Sequence, residues 1–272
     1  MLKSATLNRK GPWHDAGALL SWAALGAACA AQLAGEDWAL ALGLLLFLGG
    51  LAHGAGDEQG TSIKPFAAIH VLAYVLVGLA VAAVFLALPL GGLALFLALS
   101  AWHFARSDIA MAQLTRLAIA GLATGGSALF RHDGTGRVFA QILQDQPPAL
   151  FTDILALFGI AGAGAAIYSF VRGLRGSGHA IIALIACAAF HPVLAVGVIF
   201  LTAHAIPIQQ RQIARHGHRA VWRAVLWPTV GAGLGAAVIA FTVWQGLIEL
   251  KLAVALAFGM ATPHMLTERL ER

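Results

Sequence analysis

Four histidines in this sequence sit in an unusual setting. His53, His103, His204 and His264 each stand near the end of a long apolar run. A polar ring is costly to place in oily surroundings unless it finds a partner, and such residues inside membranes are rare and usually functional. The plainer account is four unrelated side chains, each with its own hydrogen bond. Taken as a set they are all imidazoles, which suits iron, copper or zinc, and the reading adopted is that they converge on one metal site. Asp57 follows His53 by four residues and Asp108 follows His103 by five. A carboxylate that accepts the free ring N–H of a ligating histidine fixes its tautomer and raises its basicity. Alternatively, the two aspartates simply mark helix ends in headgroup water. His14, His132, His216 and His218 fall in expected loops, and His70 and His179 near the ends of apolar runs. His191 could be a fifth ligand, a group behind the ligands, or a cap at a helix break.

The elements that must position these residues are apolar helices. Of 272 residues, 60% are apolar and 11% charged, and the mean hydropathy is +0.82. Soluble domains carry roughly 25% charged residues. The composition therefore predicts an all-α, polytopic transmembrane bundle: one integral membrane domain over 1–272, with a polar, basic segment at 1–15. Continuous Leu/Ala/Val/Gly runs, rather than ten-residue alternation, argue against a β-barrel. The net charge is +5. Its arginines lie in short loops, where they orient helices and meet anionic lipid rather than nucleic acid. Cys29 and Cys187 both lie in apolar runs and make neither a disulfide framework nor a zinc pattern.

The runs place spans at 16–34, 38–55, 66–88, 93–104, 117–130 and 149–171, with a loop at 131–148. The stretch 179–205 is the critical one. As a single span it would put Arg211, Arg215, Arg219 and Arg223 on the outer side, against the positive-inside rule. A break at His191-Pro192 returns them inside, and proline disfavours helix in the residue before it. Two more spans, 224–244 and 247–266, follow. The result is about eight to nine hydrophobic segments, one of them broken, in the cytoplasmic (inner) membrane. All four histidines then fall at the cytoplasmic ends of spans. Arg131 and Arg137 on the outer side fit this scheme less well.

Other chemistries lack their motifs. There is no phosphate-binding Gly-x-x-x-x-Gly-Lys loop, no Gly-x-Ser-x-Gly elbow and no His-Glu-x-x-His pair. No lysine lies mid-span to hold retinal, so the chain does not read as an opsin. Glycines at 121, 125, 126, 159, 162 and 164 could line a tunnel for a long apolar ligand, or simply let helices approach.

Four motifs resemble the Brp/Blh family of membrane β-carotene dioxygenases: His53-Gly-Ala-Gly-Asp57, Trp102-His-Phe-Ala-Arg-Ser-Asp108, Phe200-Leu-Thr-Ala-His204 and Pro263-His-Met265. They occur in the family's order and cover the chain from about residue 45 onward. The resemblance implies ferrous iron held by His53, His103 and His204, with His264 matching the Pro-His motif and Asp57 and Asp108 the motif aspartates. It further implies O2 as co-substrate and central cleavage of β-carotene to two retinals, with an opsin as a possible acceptor of product. Trp102, Phe104 and Phe200, beside ligand positions, would line the polyene path or anchor span ends. Three positions depart from the pattern: Ala52, where proline is usual; Ala105, where glycine is usual; and Ile208, where a second histidine usually stands four residues after the one matching His204. A non-catalytic carotenoid- or retinoid-binding relative that has lost a ligand at Ile208 therefore stands as an alternative, as does a transporter with a histidine-lined path.

Overall fold

The computed structural model describes residues 16–57 and 68–267, and among them every regular element is a helix. Helices α1 (Ala16–Ala34) and α2 (Glu36–Asp57) form a hairpin about Gly35, whose φ of 127° suits glycine. Helices α3 (Ala68–Ala87) and α4 (Pro89–Ser107) form a second hairpin, with Pro89 in the first turn of α4, where its missing N–H costs nothing. The next pass combines α5 (Gln113–Gly121), a π-helical turn (Leu122–Gly126) and α6 (Ser127–Phe130). Helices α7 (His132–Leu143), α8 (Ala149–Val171) and α9 (Ser177–Ala189) follow. Then α10 (Pro192–Ile199), a second π-helical segment (Phe200–Ala205) and α11 (Ile206–His216) run on as one continuous helix. Helices α12 (His218–Trp244) and α13 (Leu250–Thr267) complete the described chain.

Three helices among the described residues are long and apolar enough to cross a membrane: Ala149–Val171, Pro192–His216 and His218–Trp244. Shorter apolar helices include Leu72–Ala87, Ser177–Ala189 and Leu250–Pro263. Of the eight to nine spans expected, three among the described residues reach that length and hydropathy, and the other apolar helices are shorter.

The break at His191-Pro192 falls where the sequence places it, and it reverses the chain. Ala112 N–H donates to the Arg175 carbonyl just before α9, while the Arg131 guanidinium donates to the Ala188 and Ala189 carbonyls at its far end. Beyond the break the chain returns, so that Arg211 in α11 meets Asp108. This gives the bundle two ends, one marked by Glu36, Arg131 and His191, the other by Asp108, Arg175 and Arg211. The capping contact also gives Arg131 a structural reason to stand at the Glu36 end: it satisfies carbonyls that α9 leaves open.

Two expectations are corrected. The segment 131–148 is not all loop, because α7 occupies most of it. Thr135, Phe139 and Leu143 recur every four residues and are buried as one face. The helix bearing His204 also does not stop at Ala205 but continues to His216.

Close glycine approaches hold the passes together. A Cβ on Gly43 would sit 2.8 Å from the Val193 carbonyl oxygen, and one on Gly197 2.5 Å from that of Gly43. A Cβ on Gly121 would meet the Phe158 carbonyl oxygen at 2.9 Å, and one on Gly162 the Leu122 nitrogen at 2.8 Å. Of the two roles open to the 121–164 glycines, Gly121, Gly125, Gly159 and Gly162 serve the packing of α5 and its π-turn on α8.

Candidate functional site

The site is built where α4 meets the second π-helical segment. Pro207 cannot donate to the carbonyl four residues earlier, and its ring would clash there in a regular helix. The chain widens into the π-helical turn Phe200–Ala205 immediately before it, a form common at functional sites. That turn carries His204 into the interior, where it is 2% exposed; His103, in the last two turns of α4, is 3% exposed. Their Nε2 atoms face each other at 3.0 Å, with ring centroids 4.8 Å apart and planes at 70°.

Ser107, one turn after His103, donates its hydroxyl to the His103 carbonyl at 2.7 Å. The same oxygen lies 3.4 Å from His204 Nδ1. Phe104 is buried, and its ring centroid stands 4.6 Å from that of His204. Phe200 lies between Phe47, at 5.2 Å, and His204, at 5.8 Å. Trp102 is half-buried, with the Arg106 guanidinium 5.8 Å from its ring.

Asp108 is nearly buried. It accepts from Arg211 Nη1 at 2.9 Å and from the Ala110 N–H at 3.1 Å. Its carboxylate therefore ties the end of α4 to α11, a link hidden in the sequence because the partners are 103 residues apart.

His53 and Asp57 fall in α2, and His264 in α13; their side chains lie outside the described residues. Their helices nevertheless reach this region. Gly43 approaches Val193 and Leu194, Gly49 approaches Leu201, and a methyl group on Gly50 would strike the Phe200 ring. The numbering rises together, so α2 and α10 run parallel. One further turn along each leads to His53 and His204. On α13, the Ser100 hydroxyl points to Met265 Sδ at 4.0 Å, which brings the residue after His264 within one turn of His103. Ile208 is buried, at 4% exposure, one turn beyond His204.

A comparison with protein families bears on this arrangement. The family model described as beta-carotene 15,15'-dioxygenase matches residues 44–270. The chain belongs to the β-carotene 15,15'-dioxygenase family. The matched region takes in His53, His103, His204 and His264. No curated protein and no solved structure gives a significant match.

For a family member the donor chemistry matters most. The two Nε2 atoms stand within hydrogen-bond distance of each other at 3.0 Å, and a buried pair of imidazole nitrogens is the donor type that would suit iron, copper or zinc. Among the described residues no group of three His, Cys, Asp or Glu side chains gathers for a metal; the pair supplies two donors. His191 takes no part. It lies at the Glu36 end, where its N–H donates to Gln32 Oε1 at 2.6 Å and its Nε2 is 3.4 Å from Glu36 Oε1. It occupies the N-cap position of α10 at the helix break, but its side chain makes no cap bond and faces Glu36 instead. The sequence reading missed Ser107 and Arg211; the signals available were a hydroxyl four residues after His103 and an arginine seven residues after His204.

Proposed function

We propose that the chain uses O2 to cleave β-carotene centrally into two retinals, with iron(II) held by His103 and His204 together with His53 and His264. Membership of the β-carotene 15,15'-dioxygenase family supports the reaction class. The observation that carries the site is the facing pair of buried Nε2 atoms at 3.0 Å. When bound, ferrous iron supplies the redox chemistry toward O2. The chain's own residues do the rest. The α4 and π-turn backbones hold the two imidazoles in one orientation. Phe104 and Phe200 exclude water from the rings and offer apolar faces to a polyene, with Trp102 at the half-buried margin. The Asp108–Arg211 pair keeps the two helices in register, and Asp57 is assigned the part of a carboxylate that accepts the free ring N–H of His53.

Arg106, Arg172, Arg175, Arg211, Arg215, Arg219 and Arg223 gather in the segments at the Asp108 end. The positive-inside rule assigns that end to the cytoplasm, in a multi-pass protein of the inner membrane. Retinal released there passes to the surrounding lipid or to an opsin.

Ile208 supports a second reading. A buried isoleucine one turn after His204 cannot ligate, which suits a carrier that binds carotenoid or retinoid without cutting it. Expression in a host that accumulates β-carotene separates the two. The enzyme makes retinal with the native chain and none with His204→Ala. The carrier yields purified protein with intact carotenoid and no retinal. Unchanged pigment beside well-expressed, iron-loaded protein overturns the cleavage reading.

A further inference from the structure

Among the described residues, the Ser107 hydroxyl links the segments that carry His103 and His204. Its side chain is buried, at 7% exposure, and its proton is committed: Oγ donates to the His103 carbonyl at 2.7 Å. A hydroxyl has one donor and two acceptor lone pairs. With the donor used, Oγ can only accept from what else approaches it. His204 Nδ1 approaches it at 3.4 Å, and the polarity that this network favours is Nδ1–H pointing to Oγ. A neutral imidazole carries one proton, so Nε2 of His204 then bears the lone pair. That atom is the one facing His103 Nε2 at 3.0 Å.

We propose that Ser107 is the positioning residue of the site: anchored on the His103 carbonyl, it holds His204 in the Nδ1–H tautomer and turns its Nε2 lone pair toward His103. This is the part that a carboxylate or carbonyl plays behind a ligating histidine. It falls here to a serine because Asp108, the next residue, is taken by Arg211 and the Ala110 N–H. The hydroxyl also couples the two ligands. Any slip of α4 along the π-turn moves the His103 carbonyl, and with it the group that orients His204. The inference rests on the reading of His103 and His204 as metal ligands.

The test uses the full chain, purified in lipid nanodiscs, stripped of metal and titrated with cobalt(II) while its visible d–d bands are recorded. Native protein, Ser107→Ala, Ser107→Thr and His204→Ala are compared, with size exclusion and circular dichroism as checks of folding. Removing a group of this kind weakens metal binding about 10- to 100-fold. The expected result is that loss for Ser107→Ala together with altered d–d bands, and affinity within a few-fold of native for Ser107→Thr, which keeps the hydroxyl. Ser107→Ala with native affinity and spectrum overturns the role of Ser107 and leaves the metal reading standing. So does Ser107→Thr that binds no better than Ser107→Ala. Native protein that takes up no cobalt overturns the metal reading, and the role of Ser107 with it.

Discussion

Arg211 reaches from α11 to Asp108 at the end of α4, and the two charges meet at 2.9 Å with the carboxylate almost wholly buried. Breaking a buried pair by removing one partner costs about 3–5 kcal/mol, because it strands a charge. Arg211 is about one-third exposed, so water can reach Asp108 once the arginine is gone. Arg211→Ala is therefore expected to cost about 1–3 kcal/mol by that reasoning. Asp108→Asn keeps a side-chain acceptor for the Ala110 N–H and should cost less. Thermal unfolding in detergent, read as a double-mutant cycle, checks both. No coupling between the two sites would show that the pair does not brace the helices.

Metal content addresses the site directly. Native protein loaded anaerobically with ferrous iron is expected to hold one ion per chain, and His103→Ala or His204→Ala to lose it. Iron retained in both variants, by elemental analysis of folded protein, would place the ion elsewhere.

Phe104 offers a graded probe. Its ring packs on His204, and truncating a buried phenylalanine to alanine costs about 3–5 kcal/mol. Phe104→Leu keeps most of the volume and should cost about 1.5 kcal/mol or less. Retinal yield in the β-carotene host is expected to fall more than stability in the leucine variant, because the ring bounds the site. Equal losses of yield and stability would reduce Phe104 to a core residue.

The approach of α2 to α10 can be pried apart. A methyl on Gly197 would sit 2.5 Å from the Gly43 carbonyl oxygen, a backbone atom with little room to give. Gly197→Ala is expected to lower the unfolding temperature and reduce retinal formation, since α2 carries His53. Gly164→Ala meets nothing within 4 Å and serves as the neutral control in both assays.

His191 gives a pH dependence. It lies between α9 and α10, outside both helices. Burial lowers its pKa from the ordinary 6.5, with Arg131 and Arg137 adding to the effect and Glu36 opposing it. Below 6.5 the unfolded chain takes up the proton more readily than the folded one, so stability is full above that pH and declines as pH falls toward the depressed folded value. His191→Gln should flatten this part of the stability–pH curve. An unchanged slope would assign the dependence to another group.

Much of this was open to sequence reasoning, and the boundary has physical causes. The helical class followed from apolar runs that no other element can carry through lipid. The break followed from Pro192 together with the charge on the arginines beyond it, and the meeting of His103 with His204 followed from the cost of burying imidazole. Helix α7 was hidden by Asp133-Gly134, a turn signal whose local preference gives way to the burial of Phe139 and Leu143. The π-turns leave no composition of their own, because they are backbone adjustments to a proline or a close neighbour. Ser107 resembles any serine that bonds back to its own helix, and only the arrival of His204 from a distant segment gives it a second task.

The widened turn at Phe200–Ala205 has the form of an α-helix that has gained a single residue. Each residue turns a helix by about 100°. Deleting one amino acid there would straighten the helix and spin one half against the other by that angle. His204 could then face His103, or Arg211 could face Asp108, but one rigid rod could not satisfy both. The apparent irregularity is the joint that lets a single helix meet two differently phased obligations at once.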